Sequence, residues 1–138
     1  MTTQETTMRR RAVLAVAGAT VAGAVPWAVA EIAGVDLEVT SAGLTIDVGV
    51  LLVVGTALAM SLAGWWLLTV LQRRRSDARR VWTIVAATVL VLSLSGPLVA
   101  EADTDAKVYL TLIHLAVGLV LIPGLRAAAG AGVVGARP

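Results

Sequence analysis

Apolar residues gather into four long runs, at 12–30, about 48–71, 81–99 and about 106–125, and none of the runs carries a charge in its middle. At 1.5 Å per residue the first run measures roughly 28 Å as a helix, close to the ~30 Å hydrocarbon core of a bilayer, and the others are of similar or greater length. A bilayer offers no partner to free backbone N–H and C=O groups, so such runs must be helical. The expected fold class is therefore all-α: an antiparallel bundle of four transmembrane helices. It is flanked by an N-terminal segment, 1–11, and a Gly- and Ala-rich tail, 126–138, expected to be poorly ordered beyond its first turn.

The stretch between the first two runs has a different period. Val35, Leu37 and Val39 alternate with Asp36, Glu38 and Thr40, and Leu44, Ile46 and Val48 alternate with Thr45 and Asp47, around Ser41-Ala42-Gly43. Period-two alternation on either side of a turn predicts a small β-hairpin. The alternative is that the same residues lead straight into the second span with Asp47 as its N-cap.

Charge orients the bundle. The segment before the first run, the loop after the second and the segment after the fourth hold all ten arginines against two acids, Glu5 and Asp77, a net +8. The other two loops hold Glu31, Asp36, Glu38, Asp47, Glu101, Asp103 and Asp105 against Lys107, a net −6. Arginine bias of this kind predicts that the arginine-bearing side, with both termini, is cytoplasmic, in a bacterial plasma membrane, and that the hairpin is extracytoplasmic. Trp65, Trp66 and Trp82 fall at the cytoplasmic ends of their spans and Trp27 near an outer end, as membrane-interface anchors would. The basic start, apolar run and Ala28-Val29-Ala30 of the first segment also fit a secretory signal. Its spanning length and the three runs that follow favour a retained helix.

Composition agrees, with 58% apolar and 14% charged residues, where a soluble domain carries about a quarter charged. The chain has no cysteine, which excludes disulfides, thiolate zinc sites and thiol chemistry. Small residues recur on each span: Gly18/Ala22 and Ala19/Gly23; Gly55, Ala59 and Ala63; Ala86, Ser93 and Gly96; Thr111, His114 and Gly118. In lipid, such stripes let backbones approach closely, and each is placed inward here. The short arginine-rich loop predicts that spans two and three are antiparallel neighbours.

His114, the sole histidine, lies about seven residues, or ~10 Å, into the fourth span. Ionisable groups at such depth usually face a bundle interior. Ser93 and Ser95 lie at similar depth under Pro97, and Glu31 and Asp47 close the same outer end. These five are the candidate ligand-binding residues, in a polar pocket near the outer face. The bland reading makes His114 a neutral group bonded to a serine or a backbone carbonyl, and makes Glu31 and Asp47 helix-boundary residues.

Other motifs fail. Glu101-Ala-Asp103-Thr-Asp105 lacks the Gly and Glu of a calcium loop, and one histidine with scattered carboxylates argues against a transition metal. Gly130-Ala-Gly132-Val-Val-Gly135 has the letters of a dinucleotide fingerprint without its strand–turn–helix setting. No cofactor and no metal site are expected. The basic loop is accounted for by membrane topology rather than nucleic acid, leaving membrane lipid, a second copy or another membrane protein as partners.

Residues 81–98, VWTIVAATVLVLSLSGPL, with 112–125, LIHLAVGLVLIPGL, and 33–39, AGVDLEV, resemble an uncharacterised family of small actinobacterial four-helix membrane proteins, a domain of unknown function. The resemblance rests on Trp82, Ser93, Ser95, Gly96, Pro97, His114 and Pro123. It implies four helices and plasma-membrane residence, and no activity. Three functions stay open: a non-enzymatic accessory or ligand-binding module, a small transporter or channel subunit, or a membrane enzyme acting on a lipid or isoprenoid with His114 as acid/base beside Glu31 or Asp47. Small multidrug exporters need an acid deep in the first span, and 12–30 contains none.

Overall fold

The computed structural model describes residues 3–131. The elements run α1 (Thr3–Ile32), β1 (Glu38–Ser41), β2 (Leu44–Asp47), α2 (Val50–Arg74), α3 (Ala78–Val99) and α4 (Thr104–Ala131). All four helices are long and apolar enough to cross a membrane. They form an antiparallel bundle in which α1 packs most extensively on α4, and contacts of α1 with α2, α3 with α4, and α2 with α3 close the ring. As expected, residues 75–77 join α2 to α3 as antiparallel neighbours.

The helices outrun the apolar segments that nucleate them. α1 has 30 residues, roughly 45 Å, and its first turns carry Arg9, Arg10 and Arg11 beyond the apolar run. α4 likewise continues through 126–131 of the expected tail. Residues 132–138, and with them most of the glycine-rich motif, lie outside the described residues.

The expected β-hairpin is present. β1 and β2 pair antiparallel with Val39 opposite Ile46 and Thr40 opposite Thr45, and the two threonine hydroxyls are 2.8 Å apart. Ala42 and Gly43 form the turn with φ of 52° and 78°. Positive φ at both central residues marks the type I′ turn, whose twist matches a two-residue hairpin. α2 starts after the hairpin at an N-cap, Gly49, that makes no side-chain bond, so Asp47 ends a strand rather than capping a helix.

Three tethers hold the hairpin to the bundle. Leu37 is buried with Ala30 and Ala106, and Val39 and Val48 pack on Val53, Leu110 and Ile113. Trp27 Nε1 on α1 donates to the Val48 carbonyl at 3.0 Å. Finally, Thr40 and Glu101 exchange backbone hydrogen bonds of 2.9 and 3.3 Å, a β-bridge that ties β1 to the α3–α4 loop.

Small residues do make the inner contacts, but not every stripe lies where the sequence places it. Ala19 and Gly23 of α1 are buried, and a Cβ at Gly23 would lie 2.7 Å from Val117 of α4. On α2, Gly55, Ala59 and Ala63 are exposed, while Val53, Ala57, Ser61 and Leu68 are buried. One small face is enough for close approach between two helices. α1 supplies it with Ala12, Ala15, Ala19 and Gly23, and α2 meets it at Ala57, whose Cβ lies 3.9 Å from the Gly23 Cβ position.

Candidate functional site

α3 is the least covered of the four spans, and it borders an apolar concavity with α2 and α4. Near the arginine-rich end, Trp82 of α3 is buried in a cluster with Ala12, Ala15, Leu68, Leu125, Ala128 and Ala129. Its Nε1 donates to the Gly64 carbonyl of α2 at 2.8 Å. Midway along, Leu90 fills the notch left by Gly118 of α4, where a Cβ would lie 2.5 Å from Leu90 Cδ2.

Between these contacts and the hairpin lies an apolar groove of about 1010 Å³, at the upper end of the ~300–1,000 Å³ typical of small-molecule pockets. Its walls are α2 and α3, its floor is α4, and its end at the hairpin is formed by Val39, Thr40, Ser41, Ala42, Ala100 and Glu101. It opens sideways: the rim residues Met60 on α2 and Val89 on α3 are 52% and 43% exposed. In a bilayer that side is occupied by acyl chains.

The five candidate residues separate. His114 and Ser93 both line the groove. The Leu90–Gly118 contact sets the antiparallel register of α3 and α4, which puts His114 level with Ser93 and Leu94. Ser95 is exposed and bonds its own helix at the Leu92 carbonyl, 2.6 Å away. Glu31 and Asp47 are both exposed and line a separate polar depression of about 220 Å³ with Asp36 and Glu38. No group of acids or histidine among the described residues is arranged to hold a metal ion.

His114 is half-buried, with Nδ1 2.7 Å from the Leu110 carbonyl one turn back on α4. A carbonyl only accepts, so Nδ1 carries the proton, and in the neutral ring Nε2 is left as an acceptor. Ser93 Oγ donates to the Leu90 carbonyl at 2.7 Å. Neither side chain links two helices, so neither is interhelical glue.

Of the four tryptophans only Trp66 is exposed. Trp82 is core rather than an interface anchor, because Gly64 leaves room for its indole and supplies the carbonyl that its N–H needs. Trp65 packs against the same cluster. Two other residues carry more of the architecture than their sequence surroundings suggest. Glu101 closes the groove through its backbone bridge, and nothing in its neighbourhood marks a single β-bridge. Ser61 is fully buried, with no hydrogen-bond partner for Oγ.

Together these features define a small multi-pass membrane protein with an apolar groove among α2, α3 and α4. The chain belongs to DUF6069, a family of unknown function whose model matches residues 3–131. Neither a curated protein nor a solved structure matches it.

Proposed function

We propose that this protein is a non-enzymatic membrane module that binds a membrane lipid in the groove between α2, α3 and α4. It sits in a bacterial plasma membrane with both termini cytoplasmic and the hairpin outside. The observation that carries the reading is the groove itself: its size, its apolar lining and its opening toward the acyl-chain region. Each CH₂ of a lipid tail moved from bulk lipid into the groove gains little from hydrophobicity, since both phases are apolar. Selection must therefore come from shape and from the few polar groups at the His114 level. The split of His114 from Glu31 and Asp47 favours this reading over an acid/base enzyme built on those three residues.

The test extracts the protein directly from membranes into polymer-bounded lipid discs and counts retained lipids by native mass spectrometry. Wild type is expected to keep one lipid that Val89→Trp and Gly96→Leu lose, since both substitutions project bulk into open space along α3. Equal retention in wild type and both variants would overturn the proposal.

A further inference from the structure

Resting on the lipid-binding reading, we infer that the lipid's polar head is an uncharged hydroxyl: the groove is built for a lipid alcohol rather than a phospholipid or other anion.

The inference follows from what the groove's polar atoms have left to offer. His114 spends its N–H on the Leu110 carbonyl and keeps only the Nε2 lone pair. Ser93 spends its hydroxyl proton on the Leu90 carbonyl, leaving lone pairs on Oγ. Pro97, which also lines the groove, has no N–H. The Ser93 carbonyl, four residues earlier, therefore lacks its normal helical donor. At one level of the groove there are thus three acceptors: an imidazole nitrogen, a hydroxyl oxygen and a carbonyl oxygen. Thr56 lines the same groove from α2, and unlike Thr20, Thr69, Thr83 and Thr88 it makes no bond to its own helix, so its hydroxyl can donate to a ligand oxygen as well as accept.

Charge points the same way. Among the described residues no lysine or arginine lines the groove, and the one acid that does is Glu101, at the hairpin end. A phosphate or carboxylate head would meet acceptors and an anion with no cation to balance it. An ether or ester would leave the acceptors dry and unpaired. A hydroxyl donates one hydrogen bond to this cluster while its chain fills the apolar length toward Trp82.

The experiment uses the full-length protein in lipid discs and a long-chain primary alcohol with a photoreactive diazirine in its tail. Labelled residues are mapped by peptide mass spectrometry. Competitors are the unlabelled alcohol, its methyl ether and its phosphate monoester. Labelling is expected at Met60, Val85 and Val89, with the alcohol displacing the probe roughly tenfold better than either competitor, the effect of about 1.4 kcal/mol. His114→Leu is expected to bring the alcohol close to the ether. Continued labelling of Met60 in that variant shows that the groove is still formed. If alcohol and ether compete equally, or the phosphate competes best, with labelling intact, the hydroxyl inference is overturned while lipid binding stands. If no probe labels the groove walls, the lipid-binding reading falls and takes this inference with it.

Discussion

The α1–α4 seam and the α2–α3 flank are made from the same kinds of residue and end up as opposites. Along the seam, small residues let the two helices meet in close register: a Cβ at Gly124 would lie 2.7 Å from Ala15 Cβ, and one at Gly23 would lie 2.7 Å from Val117. On the flank, Gly96 has open space where a Cβ would go, and Ala63, which also lines the groove, is exposed. Glycine and alanine at helical spacing therefore permit close approach without compelling it. What separates the two regions is whether the opposing helix supplies a complementary knob. α4 and α1 do so for each other, while α3 packs on α2 chiefly around Trp82 and leaves much of the remaining length as a groove.

If the flank is pinned chiefly there, Trp82 should be the most sensitive position in the molecule. Trp82→Ala removes a buried ring together with its bond to the Gly64 carbonyl, and is expected to cost about 3–5 kcal/mol. Trp82→Phe keeps most of the packing and should cost about 0.5–1.5 kcal/mol for the lost hydrogen bond. Equilibrium unfolding in mixed micelles, followed by circular dichroism, measures both. A cost for Trp82→Ala no larger than that for Trp82→Phe would mean that the indole is not what holds α3 to α2.

Next in size is the contrast between the two regions at single glycines. Gly124→Val drives a branched side chain into Ala15, including its Cα at 3.4 Å, where backbone must give way. Overpacking of this kind costs about 1–3 kcal/mol. Gly96→Val projects into the open groove and should change stability by less than about 0.5 kcal/mol. Comparable losses at both positions in the same unfolding assay would erase the distinction between sealed seam and open flank.

The sequence announces the spans clearly, because apolar length and arginine placement are properties of whole segments. The hairpin is equally legible, since Val35-to-Thr40 and Leu44-to-Val48 switch to a period that a helix cannot use. Facing is harder to read. Gly55, Ala59 and Ala63 form as regular a stripe as Ala15, Ala19 and Gly23, and only the partner helix decides which of them is covered. Trp82 and Trp66 sit at similar positions near span ends, yet one is core and the other exposed, because Gly64 happens to stand opposite Trp82. For the site, depth does not tell Ser93, which lines the groove with His114, from Ser95, which is exposed and does not. The separation of Glu31 and Asp47 depends on the hairpin folding over the bundle end and carrying Asp47 to its outer edge with Asp36 and Glu38.

The hairpin itself offers a smaller effect of opposite sign. Ala42 sits at φ 52°, a left-handed conformation that costs a residue with a Cβ about 1–2 kcal/mol. Ala42→Asn creates the Asn-Gly pair favoured by type I′ turns and should recover up to about 1 kcal/mol. Because the hairpin is a local unit, the gain is read as slower backbone amide exchange at Val39, Ser41, Leu44 and Ile46, the residues of its hydrogen-bonded pairs, with little change in global unfolding. Unchanged exchange would mean that the Thr40–Glu101 bridge, rather than the turn, governs hairpin opening.

The smallest expected effect lies where α2 meets α1. Ser61 shares a buried face with Ala57, which lies 3.9 Å from the Cβ position of Gly23 on α1, so its hydroxyl is enclosed among small apolar groups without a hydrogen-bond partner. An enclosed hydroxyl of this kind is a desolvation cost with no return. Ser61→Ala deletes only the oxygen, and is expected to leave stability unchanged or raise it by up to about 1 kcal/mol. Ser93→Ala on the flank should also be close to neutral in stability, for a different reason: its hydroxyl bonds only its own helix. The two serines then part company in lipid binding, where only Ser93 has an acceptor facing the groove. If Ser61→Ala instead destabilises by more than about 1 kcal/mol, the α1–α2 contact holds a polar partner for Oγ, such as a buried water, and this side of the bundle is not sealed by apolar packing alone.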